Sequence, residues 1–269
     1  AIEKTIVLLK NNDLCLPIGK MNRQFSAISF GGPAKNFHET IGLFADAKIS
    51  QYSSFSECSD TSINRIKASE ICIISLHADG AKGAENEIDS KNLAILDKLP
   101  SSQIKILILF GNDQLLKQLK PGSVDVIIWA KENHYLAQNR VAQLLFGATA
   151  AQGKLTKDIG DFKVGDGIST KTNGRLKFGQ AEDLGISALK LKQIDEIALK
   201  GIEDGAYPGC QIVVAVKGTI IYRKSFGQQT KNGKNVSNTD VYDIASITKI
   251  AASTLLTMHL IDEGLLDID

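Results

Sequence analysis

Ser246-Ile247-Thr248-Lys249 places a hydroxyl and an amine three residues apart at the start of an expected helix, where positions i and i+3 share a face. A serine hydroxyl is a weak nucleophile at neutral pH. It becomes useful only when a base takes its proton, and a lysine can do so once burial or neighbouring positive charge has disfavoured its ammonium form. At a helix N-terminus the serine would also stand near unpaired backbone N–H groups, whose dipoles favour the anion of an acyl-transfer intermediate. The chemistry implied is nucleophilic attack on an amide or ester.

The spacing is weak by itself, because Ser102 to Lys105 and Ser187 to Lys190 repeat it. Ser102 precedes the apolar run Ile104 to Phe110, a strand in which residues three apart point to opposite faces. Ser187 follows Gly185-Ile186 and opens a helical pattern, so it is expected as an N-cap, with Lys190 in a solvated first turn. Ser246 alone stands among apolar and small residues, Ile244-Ala245 before it and Ile250-Ala251-Ala252 after Lys249. Ser246 and Lys249 are therefore the candidate catalytic pair, and a plain helix N-terminus is the competing explanation.

Two kinds of element must position such a site. From Phe25 to Phe146, β-rich apolar runs alternate with helical patterns. Strands are expected over Phe25 to Phe30, Ile71 to Leu76, Ile104 to Phe110 and Val124 to Trp129, with Lys48 to Tyr52 as a further one. Helices are expected over Phe37 to Ala45, Ser62 to Ser69, Glu87 to Leu99, Gln114 to Leu119 and Tyr135 to Leu145. Near-continuous apolar strands separated by helices imply an α/β fold with an open, mostly parallel sheet covered on both faces. In such sheets ligands approach the carboxyl ends of the strands. Here those ends carry Gly31-Gly32-Pro33, His77-Ala78-Asp79-Gly80 and Gly111-Asn112-Asp113, which also read as plain turns. The loop Gly80 to Glu87 reads as solvated.

After Gly147 the periodicity fades, and Thr156 to Lys177, rich in Gly, Lys, Asp and Thr, reads as a linker. Beyond it the order changes to helix, hairpin, helix. Leu189, Ile194, Ile197, Ala198 and Ile202 suggest one amphipathic face ending at Gly205. Gln211 to Val216 and Ile220 to Phe226 flank Lys217-Gly218-Thr219 as a hairpin, and Ser246 to Glu263 forms the last helix, with Gly264 as its stop. The domain boundaries expected are 1-155, a linker over 156-183, and 184-269.

Composition narrows the partners. The chain has 269 residues, is 43% hydrophobic and carries a formal net charge of +1, so it can build sizeable cores and offers no basic stripe for nucleic acid. No apolar run reaches the length of a membrane span. Cys15, Cys58, Cys72 and Cys210 have no metal-type spacing, and His38, His77, His134 and His259 are scattered as core or surface residues. No metal or other cofactor is expected. A nucleotide- or flavin-binding role would want a G-x-G-x-x-G or P-loop fingerprint, which is missing.

The second part resembles serine β-lactamase-like proteins of the class C, penicillin-binding and esterase branch. The residues that carry the likeness are Ala206-Tyr207-Pro208-Gly209-Cys210-Gln211, the hairpin at Lys217-Gly218, Phe226-Gly227, Tyr242-Asp243-Ile244-Ala245-Ser246-Ile247-Thr248-Lys249 and Glu263-Gly264-Leu265-Leu266-Asp267. The resemblance implies that Ser246 is acylated and that Lys249 assists proton transfer. That family also uses a Tyr-x-Asn element and a Lys/His-Thr-Gly strand beyond its nucleophile. Lys171-Thr172-Asn173-Gly174 lies upstream and does not replace that strand, so the expectation is a truncated α+β segment that does not turn over substrate.

The first part resembles the C-terminal α/β sandwich domain of family-3 glycoside hydrolases, in the β-N-acetylhexosaminidase branch. The markers are Ile6-Val7-Leu8-Leu9-Lys10-Asn11 with Leu16-Pro17, and Ala142-Gln143-Leu144-Leu145-Phe146-Gly147 leading to Gly153-Lys154-Leu155. Thr156 stands where that family often has proline. The resemblance implies a preceding barrel domain that holds the glycosidase catalytic groups, so none is assigned here; Glu85 and Glu87 match too little for a role. Together the two likenesses imply an internal fragment of a two-activity cell-envelope hydrolase, periplasmic or secreted, acting on glycan or peptidoglycan-derived substrates. The alternative is a non-catalytic carbohydrate-binding or scaffold module with a degenerate serine site.

Overall fold

The computed structural model describes residues 2–78, 90–111, 113–119 and 121–268. The chain divides into two compact units, Ala1–Phe178 with Lys217–Thr219, and Gly179–Val216 with Ile220–Asp269.

The first unit is built on a six-stranded sheet. Its elements run β1 (Ile6–Asn11), β2 (Phe25–Gly31), α1 (Lys35–Gly42), β3 (Ala47–Tyr52), α2 (Asp60–Lys67), β4 (Ile71–His77), α3 (Ile95–Lys98), β5 (Ile104–Phe110), α4 (Gln114–Gln118), β6 (Val126–Ala130), α5 (Tyr135–Leu145) and the two-residue β7 (Lys177–Phe178). The sheet order is β1-β6-β5-β4-β2-β3. Strands β2 to β6 are parallel and β1 is antiparallel to β6. The expected strands all form. The expected helix over Glu87 to Leu99 is a 3-10 turn at Ser90–Ala94 followed by the short α3, its start lying outside the described residues.

Two buried clusters sandwich the sheet. Ile73, Ile106, Ile108 and Phe110 face one, with Phe37 and Ile41 of α1 and Val141 and Leu145 of α5. Ile74, Leu76, Leu107 and Leu109 face the other, with Ile63, Ile95 and Leu115. Covering both faces is why these strands read as unbroken apolar runs rather than alternating ones.

The expected linker is divided. Residues 156–178 pack onto the first unit: Ile168 N–H donates to Leu8 O at 2.7 Å, and Phe178 N–H to Gln143 Oε1 at 2.8 Å. Arg175 donates to Phe146 O, Ile18 O and Gly19 O at 3.0 to 3.1 Å. Composition suggested a tether because a stretch fixed by polar bonds to carbonyls carries no hydrophobic period.

The second unit holds α6 (Ala188–Glu203), β8 (Gly209–Val216), β9 (Thr219–Gly227), a π-helical run Lys249–Thr254 and α7 (Leu255–Asp262). At Lys217 and Gly218, φ is 49° and 74°, the two left-handed residues of a type I′ hairpin turn. The covered stripe of α6 runs through Leu191, Ile194, Asp195, Ala198 and Ile202, whereas Leu189 and Ile197 are exposed. At about 100° per residue, Leu189 lies opposite Ala198 and Ile197 about 100° from it, both outside the covered stripe, which corrects the face expected from sequence.

Candidate active site

The segment that carries Ser246 is reached through a set of hydrogen-bonded ties. Gly209 and Gly227 let β8 and β9 approach at their base: a Cβ on Gly227, whose φ is +67°, would lie 2.3 Å from Pro208 O, and one on Gly209 2.5 Å from Phe226 O. From β8, Gln211 Nε2 donates to Ser237 O and to Asp240 O, at 2.5 and 3.0 Å. Asp240 in turn accepts from Ser237 N–H and Oγ–H at 2.9 and 2.8 Å, donors that hold its carboxyl below the usual range together with Gln229. Asp243 Oδ1 accepts from Ala245 N–H at 2.7 Å. Ala245 has φ +43°, a left-handed conformation that is strained for a residue with a Cβ. The strain sits one residue before Ser246.

Ser246 occupies a turn closed by Thr248 N–H to Ala245 O and Lys249 N–H to Ser246 O, at 3.1 and 3.0 Å. Lys249 opens the π-helical run, in which Thr254 Oγ1 donates to Lys249 O at 2.8 Å. Lys249 Nζ donates to Ser246 Oγ at 2.8 Å. The structure thus brings the two candidate residues into contact, within reach for proton transfer. Both are exposed. The flanking apolar groups that sequence suggested as a desolvating wall do not cover them: Ile244, Ile247, Ile250, Leu255, Leu256 and Met258 are each half or more exposed.

The two other Ser-x-x-Lys matches separate as expected. Lys105 lies in β5 and no hydrogen bond joins it to Ser102. Ser187 is the N-cap residue of α6, though its side chain makes no capping bond; Ala188 N–H is taken by Glu182 Oε1 at 3.2 Å.

Elsewhere in the second unit, Asp195 of α6 binds β9 twice. Tyr222 Oη donates to its Oδ1 at 2.5 Å and Lys224 Nζ to its Oδ2 at 2.6 Å. Lys224 and Tyr222 lower the Asp195 carboxyl, while burial and the bond to Asp195 push the Tyr222 phenol well above its ordinary range. Asp195→Ala should bring the Tyr222 titration down toward, but not to, a free tyrosine, because the burial contribution survives. A phenolate absorbance titration reads this; an unchanged midpoint would mean the bond does not form in solution.

A second polar assembly, not expected from sequence, lies in the first unit. Ser29 and Ser75 are neighbours across β2 and β4, both fully buried, with Oγ atoms 2.5 Å apart. Ser29 Oγ lies 2.6 Å from His38 Nε2 and Ser75 Oγ 2.9 Å from His77 Nε2. His77 Nδ1 is 3.1 Å from Asn133 Oδ1. Gly31 pairs with His77 in the strand register, and a Cβ there would lie 2.3 Å from His77 O. Burial drives His38 and His77 each down to about 4. The available signal was a serine interrupting each of two apolar strands near the carboxyl end, but their pairing depends on register.

No three His, Cys, Asp or Glu residues among the described ones group as a metal site, and no described helix is long and apolar enough to cross a membrane. The Beta-lactamase family model matches residues 194–269. Solved structures similar to the chain include the β-glucosidase from Listeria innocua in complex with isofagomine, at 17% identity and TM-score 0.44, covering 56% of this chain and 25% of that one. They also include the GH3 β-glucosidase from Bifidobacterium adolescentis, at 16% identity and TM-score 0.46, covering 58% and 27%. A GH3 exo-β-xylosidase in complex with a xylobiose aziridine probe matches at 17% identity and TM-score 0.41, covering 56% and 23%. The chain spans about a quarter of the length of these glycosidases. No curated protein matches it. The chain therefore joins a mixed α/β unit with a mostly parallel sheet to a β-lactamase-like segment at residues 194–269.

Proposed function

We propose that the chain serves in a two-activity cell-envelope hydrolase, with Ser246 as the acylated nucleophile of a serine acyl hydrolase and Lys249 as its proton acceptor. The observation that carries this reading is the 2.8 Å contact between Lys249 Nζ and Ser246 Oγ, inside the segment matched by the Beta-lactamase model. In the reaction, Ser246 Oγ attacks the carbonyl carbon of an amide or ester. Its proton passes by way of Lys249 to the leaving amine or alcohol, and water then cleaves the acyl-enzyme. The sheet unit supports a glycosidase acting on N-acetylglucosamine-containing glycans, a specificity that rests on the sequence markers of the first part.

In the whole protein, Ser246→Ala abolishes acyl-hydrolase activity and leaves glycosidase activity in place; loss of both activities would argue against independent sites. Residues 1–269 alone, with the Ser246–Lys249 pair open to solvent, take up no stoichiometric label from a fluorescent penicillin. A labelled Ser246 peptide would refute that statement. The same exposure favours the second reading, a binding or scaffold module with a degenerate serine site. Under it, the whole protein hydrolyses neither esters nor β-lactams, and Ser246→Ala changes nothing.

A further inference from the structure

We propose that His38, Ser29, Ser75 and His77 form one hydrogen-bonded unit that holds a single proton and breaks on taking a second, an acid-operated lock on the carboxyl edge of the sheet. The direction of every bond in it follows from fixed partners at one end. Gln138 Oε1 accepts from Phe37 N–H at 3.1 Å, which makes Gln138 Nε2 the donor to Pro33 O and to Asn133 Oδ1, both at 2.7 Å. Asn133 Nδ2 donates to Ala78 O at 2.9 Å. Asn133 Oδ1 is thus an acceptor, and His77 Nδ1 must carry the hydrogen that reaches it. Neutral His77 then has a bare Nε2, which takes the Ser75 hydroxyl hydrogen. Ser75 Oγ receives from Ser29, and Ser29 Oγ receives from His38 Nε2–H.

Three gaps separate the two imidazoles, and each holds one hydrogen. The serines supply two, so one and only one of the facing Nε2 atoms is protonated. A first added proton fits: it enters at His38 Nδ1, which has no hydrogen-bond partner among the described residues, and nothing reorients. A second proton, on His77 Nε2, puts four hydrogens into three gaps. One bond must break inside a buried site, where an unpaired donor is costly.

Few other charges act on the unit. His38 is the charged group that acts on His77. Around the His77 ring stand Phe110, stacked at 4.6 Å, and Phe37 at 6.1 Å. On α1, Lys35 and Glu39 pair with each other at 3.8 Å on the exposed side. Arg140 lies on α5, Lys105 at the amino end of β5, and Lys131, Glu132 and His134 are exposed beside Asn133. Because Asn133 and Gln138 tie Pro33, Phe37 N–H, His77 and Ala78 together, a His77 ring displaced by the broken bond pulls on the chain leaving β2, β4 and β6 at once.

The test is ring-nitrogen NMR on the full chain, from about pH 7.5 to about pH 3. At the upper end His38 should be the Nε2–H tautomer and His77 the Nδ1–H tautomer. On acidification one proton is taken up with the fold intact, and the second, more than about one pH unit lower, coincides with loss of the Ala78 and Asn133 amide signals. Ser75→Ala cuts the unit and should bring the two steps together. If that variant does not fold, His38→Gln should leave His77 titrating in one step, above the second step of the parent. A neutral His77 carrying hydrogen on Nε2 would overturn the proposal. So would two independent titrations in a folded protein, or a Ser75→Ala variant that keeps the separation.

Discussion

Phe37→Ala is expected to lower the stability of the sheet unit by about 3–5 kcal/mol, the range for deleting a buried aromatic side chain. Phe37 is fully buried on the α1 side of the sheet. Its ring meets Phe110 edge-on at 5.4 Å and 69°, a geometry that adds to simple burial. It also packs against His77 at 6.1 Å, so its removal both opens a cavity and uncovers a buried imidazole. The neighbouring Ile73, Ile108 and Phe110 belong to paired strands of the sheet, which limits their collapse into the space. Urea unfolding of the parent and the variant, with unchanged slope and a lowered midpoint, checks the value. A loss below about 1 kcal/mol would show that α1 does not dock on the sheet as described.

Acid should destabilise the same unit in a window set by its histidines. His77 is lowered by burial from 6.5 to about 4, so between those values the unfolded chain binds a proton that the folded chain refuses. Stability is therefore full above about pH 6.5, falls as pH drops toward 4, and loses no more from this group below it. The shift corresponds to about 3 kcal/mol for His77. His38 adds in the same direction, by less because it is partly exposed and screened by solvent. The carboxyls Asp158, Asp195 and Asp240 are held below 3.8 by their donors, so their contribution is lost at lower pH and does not fill this window. His77→Gln should be less stable than the parent at neutral pH, yet lose less between pH 6.5 and 4. Parallel pH profiles for the two proteins would remove His77 as the cause.

Much of the sheet unit was legible because both its faces are covered. A strand such as Ile104–Phe110 that is buried on two sides needs apolar residues throughout, and Tyr135–Leu145 shows the periodicity of a helix laid on that sheet. The edge strand Ile6–Asn11 carries a family marker but no decisive strand signal, since a short apolar run has no period of its own. On α6 the apolar residues outnumber the buried positions, so Leu189 and Ile197 were indistinguishable by type from Ile194 and Ile202.

The serine and lysine of Ser246–Lys249 share a local turn, and three residues of spacing are enough to bring them to 2.8 Å. Their sequence could establish that proximity and the resemblance to β-lactamase-like proteins. Whether the pair is dry could not be read from apolar neighbours, because an apolar side chain desolvates a site only when something packs it down, and here those neighbours face solvent.

For Ser29 and Ser75 the situation is reversed. They are 46 positions apart, and only the parallel register of β2 on β4 makes them one polar chain with His38 and His77. Sequence by itself determined the elements and the short-range contact at Ser246, since both follow from local spacing and hydrophobic pattern. Tertiary structure alone decided which polar residues share a buried environment, because register and burial are set by contacts between distant segments.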